Sequence, residues 1–317
     1  MTIGAIDPNS RTERTNPRVA LGALYDSFTQ RTGARFIFIE PGGNFGDRLI
    51  YLGAKKLARM AGLSFWTISH DYFMRTKFYP DDILYIHGGG GFNPWWSGRP
   101  IRALHRALAT HKGCVIVGPQ SYWLDREFLV RQIVEPLASR ISEEVILFAR
   151  ERATFEYLQD ILPKDIPLKL DHDTAVYLER KDLLTDNSHR RYRLAVIRTD
   201  TEYANYPSFG NDWIRLDPVA YCKSFEHWLK VHDSASEIVT NRLHSAIAGA
   251  ILGVPTAVLP NSYHKNRAMW ENSLRNLDVL WKEPHGNHTG SPNLMKKQLA
   301  KYVMDPLRYR QYRRKQI

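Results

Sequence analysis

The sequence predicts an α/β protein built from two doubly wound, Rossmann-like units. Three observations carry this. Short apolar runs of four to six residues recur along the chain, stretches with helical spacing separate them, and Gly, Pro, Asn and Asp mark the junctions. Apolar runs that alternate with helices are the mark of a parallel sheet covered on both faces. A length of 317 residues fits two such units, since one domain takes about 150 residues.

Each element follows from its residues. Residues 35–40 (RFIFIE) form the first strand, closed by Pro41-Gly42-Gly43. Residues 48–60 place Leu49, Leu52, Leu57 and Met60 near helical spacing, with Gly62 as the stop. Residues 64–68, 83–86, 114–117 and 145–148 are expected as further strands, with helices over 101–111 and 127–140 between them. Beyond Asp171 the chain turns polar, through Lys181, Asp182, Asp186, Asn187, Ser188, His189, Arg190 and Arg191, which places a linker there. A second series follows: a strand over 194–198, a helix over 219–231, a strand over 237–240, a helix over 243–252 and a strand over 256–259. The expected organisation is therefore residues 1–184 as the first unit, 185–295 as the second and 296–317 as a basic C-terminal helix. Two doubly wound units bind ligands in the cleft between them, at the carboxyl ends of the strands.

Composition narrows the function. The formal charge of +11 favours an anionic partner. Much of the excess lies in residues 296–317, where eight Lys and Arg stand against Asp305 alone, interleaved with Tyr302, Tyr309 and Tyr312. That pattern suits a solvated last helix or a surface that meets anionic lipid headgroups. Nucleic acid ranks last, because no nucleic-acid motif accompanies the charge. Cys114 and Cys222 are far apart and each sits among apolar residues, which fits a reducing compartment. The N-terminal residues lack the apolar block of a signal peptide, and the longest apolar run, 246–259, is interrupted by Pro255. A membrane span needs about 20 apolar residues. The expectation is a soluble, cytoplasmic protein.

Four constellations carry the chemistry. Gly42-Gly43-Asn44-Phe45-Gly46-Asp47 follows a strand and opens a helix. Glycines there let backbone N–H groups approach an anion or sugar, and the helix N-terminus adds positive potential. A tight turn capped by Asp47 is the competing reading. His87-Gly88-Gly89-Gly90-Gly91-Phe92 follows the strand 83–86, where four glycines imply that the backbone passes close to something. His87 is read as a ligand contact or as a structural histidine. Arg150-Glu151-Arg152 ends the strand 145–148, and Arg offers a planar fork for carboxylate or phosphate. An ion pair at the helix start is its alternative. Asn241-Arg242-Leu243-His244 lies between a strand and a helix of small residues, with Arg242 and His244 placed to face a cleft. Against this stands a helix start whose polar groups meet only solvent.

These segments, GGNFGD (42–47), HGGGGF (87–92), ARERATFEYL (149–158), DTA (173–175) and TNRLHSAIAGAILGVPTAVL (240–259), resemble in order and spacing the polysaccharide pyruvyl transferase family over about residues 36 to 275. The resemblance implies a GT-B-like pair of Rossmann-type units. It implies transfer of the enolpyruvyl group of phosphoenolpyruvate to two hydroxyls of a sugar, giving a pyruvate ketal and phosphate. The acceptor it implies is an exopolysaccharide repeat unit on a lipid carrier. By position, Arg242 and His244 match the family's donor-contacting Arg and His, with Leu243 contributing its backbone. Arg150, rather than Arg152, matches the Arg of the Arg-Glu motif. His87 and the backbone of Gly88, Gly89 and Gly90 match the glycine-run site, and Asn44 belongs to the first glycine loop. Asp47 and Asp173 match acidic positions, and Arg198, Asp200 and Glu202 resemble an Arg-x-Asp-x-Glu stretch.

The donor carries roughly three negative charges, so Arg150 and Arg242 are expected to converge on it from remote parts of the chain. His244 is the candidate proton donor to the methylene carbon or to phosphate, with Asp47 or Asp173 as base. No metal and no cofactor are expected: HExxH and CxxC spacings are absent, and the alternation along an extended Asp171-His172-Asp173 keeps the three side chains from converging. Two rival readings stand: a glycosyltransferase using a nucleotide sugar, and a non-catalytic module for anionic glycan or membrane surfaces.

Overall fold

The computed structural model describes residues 19–95, 98–138, 145–183, 190–200, 202 and 209–283. The polar linker falls partly, and the basic segment 296–317 wholly, outside the described residues.

The chain enters through helix α1 (Ala23–Thr29) and strand β1 (Arg35–Glu40). Both faces of β1 are covered: Phe36 and Phe38 join one apolar cluster, Ile37 and Ile39 another. Helix α2 (Phe45–Met60) starts on a capping box. Asn44 accepts from the Gly46 N–H while Asp47 reaches back to the Asn44 N–H. The box satisfies amides that the first turn would otherwise leave open. Strand β2 (Ser64–Ser69), the short helix α3 (His70–Phe73), β3 (Ile83–Ile86) and β4 (Gly89–Phe92) follow. Helix α4 (Arg99–Thr110) leads to β5 (Val115–Tyr122). The expected helix over 127–140 is broken into α5 (Arg126–Leu129), a wide π turn over 130–134 and α6 (Glu135–Ala138). Pro136 sits within that stretch and cannot donate a backbone hydrogen bond. Strand β6 (Val145–Ala149), helix α7 (Arg152–Ile161) and β7 (Leu168–Leu170) complete the first sheet.

The second series is β8 (Tyr192–Val196), β9 (Trp213–Leu216), helices α8 (Pro218–Tyr221) and α9 (Phe225–Asp233), β10 (Ala235–Thr240), α10 (Leu243–Ile251), β11 (Thr256–Val258), α11 (Lys265–Asn272) and β12 (Val279–Trp281). The single helix expected over 219–231 is two, because Ser224 caps a new start by accepting from the His227 N–H.

All described pairings are parallel. The first sheet runs β2-β1-β3-β5-β6-β7 with β4 alongside β5, and the second runs β12-β11-β10-β8-β9. The expected α/β class with two doubly wound parallel sheets is therefore present. One buried cluster runs from Phe36, Phe38 and Leu49 through Ala175 to Leu194, Ile238 and Ile247, so the two sheets share a continuous apolar core. No helix among the described residues is long and apolar enough to cross a membrane.

Strand order places the site. In the first sheet the chain leaves β1 towards β2 and then returns to β3 on the other side. In the second it leaves β8 towards β9 and returns to β10. Such reversals open a crevice at the carboxyl ends of the flanking strands. The crevices are bordered by Gly42–Asn44 and His87–Gly88 in one sheet, and by Arg198 and Asn241-Arg242 in the other.

Candidate active site

The two crevices meet. Gly46, in the first turn of α2, lies where an added Cβ would sit 2.5 Å from the His244 Cβ, so only glycine admits this approach of α2 to α10. His244 is thereby set between two carboxylates: Nε2 is 3.3 Å from Asp173 Oδ2 and Nδ1 is 4.0 Å from Asp47 Oδ1. Asp173 follows β7 and is fully buried. It accepts from Arg150 Nη1 at 2.6 Å and from the Ala175 N–H at 2.9 Å. Burial alone would push its carboxyl up, but the hydrogen bond and charge of His244, then Arg150 and the Ala175 amide, outweigh that and hold it below the usual carboxylate range. Arg150, also buried, donates from Nε to Ser121 Oγ at 2.8 Å.

Three residues of the glycine run, Gly89 to Gly91, belong to strand β4. Part of its glycine requirement is internal: a Cβ at Gly88 would lie 2.2 Å from the Pro119 carbonyl, and one at Gly91 2.7 Å from the Pro100 ring. Gly90 differs. The position of its missing Cβ is 3.1 Å from Arg150 Nη2 and 3.8 Å from Lys265 Nζ, so two cations from different sheets meet over bare backbone. Asn93 ties this strand down by donating to the Gly90 carbonyl, and its side-chain oxygen accepts from the Trp95 N–H.

Lys265 opens α11 and was not singled out from the sequence. Its ammonium lies 2.5 Å from Glu202 Oε2 and 5.0 Å from the Tyr263 ring centroid. Burial is the chief cause that lowers its pKa to about 8, against the pull of Glu202 and with the push of Arg198 and Arg150. Tyr263 packs edge-on against Trp95 and Trp123, closing that side with aromatic rings from both halves of the chain. The rule that points to strand ends applies to Lys265 too, since it stands seven residues past the end of β11.

Other expected site residues stand differently. Arg242, expected to face the same anion as Arg150, is taken up by carboxylates, and the side chain that stands beside Arg150 over Gly90 is Lys265. Nε and Nη2 of Arg242 hold Asp217 at 2.7 and 2.5 Å, and Nη2 also meets Asp200 at 3.0 Å. A buried guanidinium needs paired carboxylates, and the chain supplies them. Arg198 likewise spans Asp200 and Glu202. The result is a continuous charge network, Arg242–Asp200–Arg198–Glu202–Lys265, joining the turns after β8, β10 and β11. Leu243 is the first residue of α10, whose first turn offers backbone N–H groups. His87 does not reach the cleft. It is fully buried, both ring nitrogens lack hydrogen-bond partners, and its ring lies 4.6 Å from that of Tyr51 and 5.1 Å from that of Tyr85. Burial holds its pKa well below the ordinary value, so it packs as a neutral aromatic. Asn44 and Asp47 serve the helix cap, although Asp47 keeps one oxygen towards His244. Asp171, His172 and Asp173 each take a different side-chain partner. Asp171 accepts from the Leu24 N–H and Tyr177 hydroxyl, His172 Nδ1 pairs with Ser273, and Asp173 holds Arg150.

Two parallel, doubly wound sheets with buried charge gathered at the carboxyl ends of their strands define an α/β protein of the doubly wound class. The family follows from the sequence: the model of the polysaccharide pyruvyl transferases matches residues 44–263, and the chain belongs to that family, a family of transferases. No curated protein matches it at a significant level. Among solved structures, a functionally uncharacterised protein of Klebsiella pneumoniae is similar, with a TM-score of 0.61 at 18% identity over 83% of this chain and 99% of that one. The Escherichia coli heptosyltransferase WaaC, solved with an ADP-heptose analogue, reaches a TM-score of 0.35 at 14% identity over 84% and 99%, too low to define a common fold.

Proposed function

We propose that this chain transfers the enolpyruvyl group of phosphoenolpyruvate to two hydroxyls of a sugar in a polysaccharide repeat unit, forming a pyruvate ketal and releasing phosphate. The observation that carries the reading is the meeting of Arg150 Nη2 and Lys265 Nζ over Gly90. Two cations against bare backbone suit a compact anion bearing carboxylate and phosphate. Both cations are already paired, with Asp173 and Glu202. The donor therefore competes for them, and specificity comes from presenting two anionic groups at once.

In this mechanism His244 delivers a proton to the donor's methylene carbon, which becomes the methyl group. A sugar hydroxyl bonds to the adjacent carbon, the carbon–oxygen bond to phosphate breaks, and the second hydroxyl closes the ketal. Of the two hydroxyl protons, one replaces the proton His244 gave and the other leaves with phosphate. Asp47 is the base that suits the acceptor, since its side chain is partly exposed whereas Asp173 is wholly buried. Asp173 instead orients the imidazole. Arg242 acts as a positioning residue: its clamp on Asp217 and Asp200 holds the turn that carries His244. The proposed acceptor is lipid-linked, and the basic segment 296–317 supplies contact with anionic headgroups.

The test is incubation with phosphoenolpyruvate and a panel of aryl hexosides, following phosphate and product mass. Phosphate released together with a sugar product gaining one pyruvate less one water supports the reading. Nucleoside diphosphate release from sugar nucleotides, with none of the ketal product, would replace it with a glycosyltransferase. Salt-sensitive glycan binding without any turnover would replace it with a binding module.

A further inference from the structure

Away from the cleft, a groove of about 840 Å³ lies along the edge of the first sheet. That volume is within the ~300–1,000 Å³ range of ligand pockets. Three of its lining residues are aromatic and exposed: Trp66 at 59%, Tyr72 at 57% and Tyr79 at 71%. They come from three segments, β2, α3 and the loop before β3, so no single amphipathic helix accounts for the patch. Exposed aromatic surface assembled in this way marks a contact site.

The rings are held in place. Arg35 donates from Nε and Nη2 to the buried carboxylate of Asp82 at 2.7 and 3.0 Å, and its guanidinium carbon lies 4.8 Å from the Trp66 ring centroid and 5.4 Å from that of Tyr79. A planar cation pinned by a carboxylate thus separates two rings and fixes their spacing. Thr67, Ser69 and Thr76 add hydroxyls to the lining, and Lys77 an ammonium. An apolar protein partner would have to bury this ion pair and these hydroxyls at a desolvation cost. A pyranose ring, with apolar C–H faces and a rim of hydroxyls, matches both kinds of surface.

The groove also has a direction. Strands β1 and β2 are parallel, with Arg35 opposite Ser64 and Glu40 opposite Ser69. From Arg35 to Ser69 it covers about 16 Å of strand, the length of roughly three linked sugars. Its Ser69 end lies at the sheet's carboxyl edge. There Asp71 lies 3.8 Å from Arg99, whose Nη1 is 2.9 Å from the position of a Cβ at Gly42. Asp71 and Arg99 thus link that end to the glycine loop that precedes Asp47.

We propose that this edge groove is a glycan-docking subsite, in which Trp66 and Tyr79 stack on pyranose faces of the acceptor polysaccharide a few sugars away from the reacting unit. The identity of the glycan as acceptor rests on the function proposed above; binding in the groove does not. The experiment is calorimetric titration of the full chain, without donor, with cellohexaose and maltohexaose. At least one is expected to bind saturably, with Trp66→Ala and Tyr79→Ala each weakening it by about two- to tenfold, the worth of one stacked ring. Trp66→Phe should retain most of the affinity. Phosphate release with a single-sugar acceptor should be unchanged in all three variants. Binding lost in Trp66→Ala when no variant turns over phosphoenolpyruvate would sustain the subsite and sink the proposed reaction; turnover with equal glycan binding by wild type and Trp66→Ala would do the reverse. The subsite is also overturned if no member of the panel binds at millimolar concentration. A wild-type dimer in sedimentation that Trp66→Ala dissolves would likewise overturn it, because the groove would then hold a second copy of the chain.

Discussion

Replacing Lys265 with methionine keeps an unbranched apolar stem of similar length and removes one positive charge from the site above Gly90. In the free protein the change takes one cation from the buried Glu202 carboxylate, which keeps Arg198 at 2.9 Å and Asn261 at 3.2 Å. Towards a bound anion the loss is one charge-assisted hydrogen bond, worth about 1.5–3 kcal/mol. At 1.36 kcal/mol per factor of ten, kcat/KM for phosphoenolpyruvate should fall about 10- to 150-fold, most of it in KM. The pH dependence gives an independent check. Lys265 is held at about 8, and a lysine carries its charge only below its pKa. Donor affinity of the free wild type should therefore weaken as pH rises through about 8, and the Lys265→Met variant should lack that limb. The assay is continuous phosphate release at varied donor concentration from pH 6.5 to 9.5, with thermal unfolding as the control for folding. Wild-type kcat/KM within twofold in Lys265→Met, at unchanged melting temperature, would refute the assignment of the donor site to Arg150 and Lys265.

Four further outcomes are expected. His244→Asn should lower kcat by about 10²–10⁴-fold, the usual range for one general acid, with donor KM little changed; near-normal single-turnover rates would remove the imidazole from the proton transfer. Asp173→Asn should cost about 3–5 kcal/mol in denaturant unfolding, because Arg150 then stays buried without its carboxylate. The same carboxyl, held below the ordinary range, makes wild-type stability fall as pH drops below about 4, where the unfolded chain takes up the proton first. Asp173→Asn should show a flatter acid limb, and an identical slope would contradict the pairing. Prolonged treatment with a chelator should leave phosphate release unchanged, and activity lost to it and restored by Mg²⁺ would show that a metal takes part.

The residues at the first sheet's strand ends show what linear order conveys and where it stops. Strand β1 was legible because four apolar residues stand between Glu40-Pro41-Gly42 and a polar start, and both-face burial demands such a run. The turn Asn241-Arg242-Leu243-His244 was legible as a strand-to-helix junction for the same reason. The interrupted helices were not: the break at Ser224 depends on a cap that competes with continued helix, and a period of 3.6 carries no trace of it. The glycine run was singled out, but the cause assigned to it was incomplete. Gly88 and Gly91 make room for Pro119 and Pro100, contacts between residues some 30 and 9 positions apart. Of the two readings left open for His87, the buried structural histidine fits the packing, and sequence could not choose between them because the way a side chain leaves a strand end depends on the rings of Tyr51 and Tyr85 around it.

The amino-acid sequence by itself determined the α/β class, the alternation of strands and helices, and the family, because hydrophobic period and turn chemistry are local and act wherever the chain carries them. Partnership among the charges was decided only in three dimensions. Asp173, His244, Arg150 and Lys265 lie up to 115 positions apart, and their meeting depends on two strand reversals and on the space left at Gly46 and Gly90. In that low-dielectric setting each charge needs a specific partner, so Arg242 went to Asp217 and Asp200, and Lys265 came to stand beside Arg150.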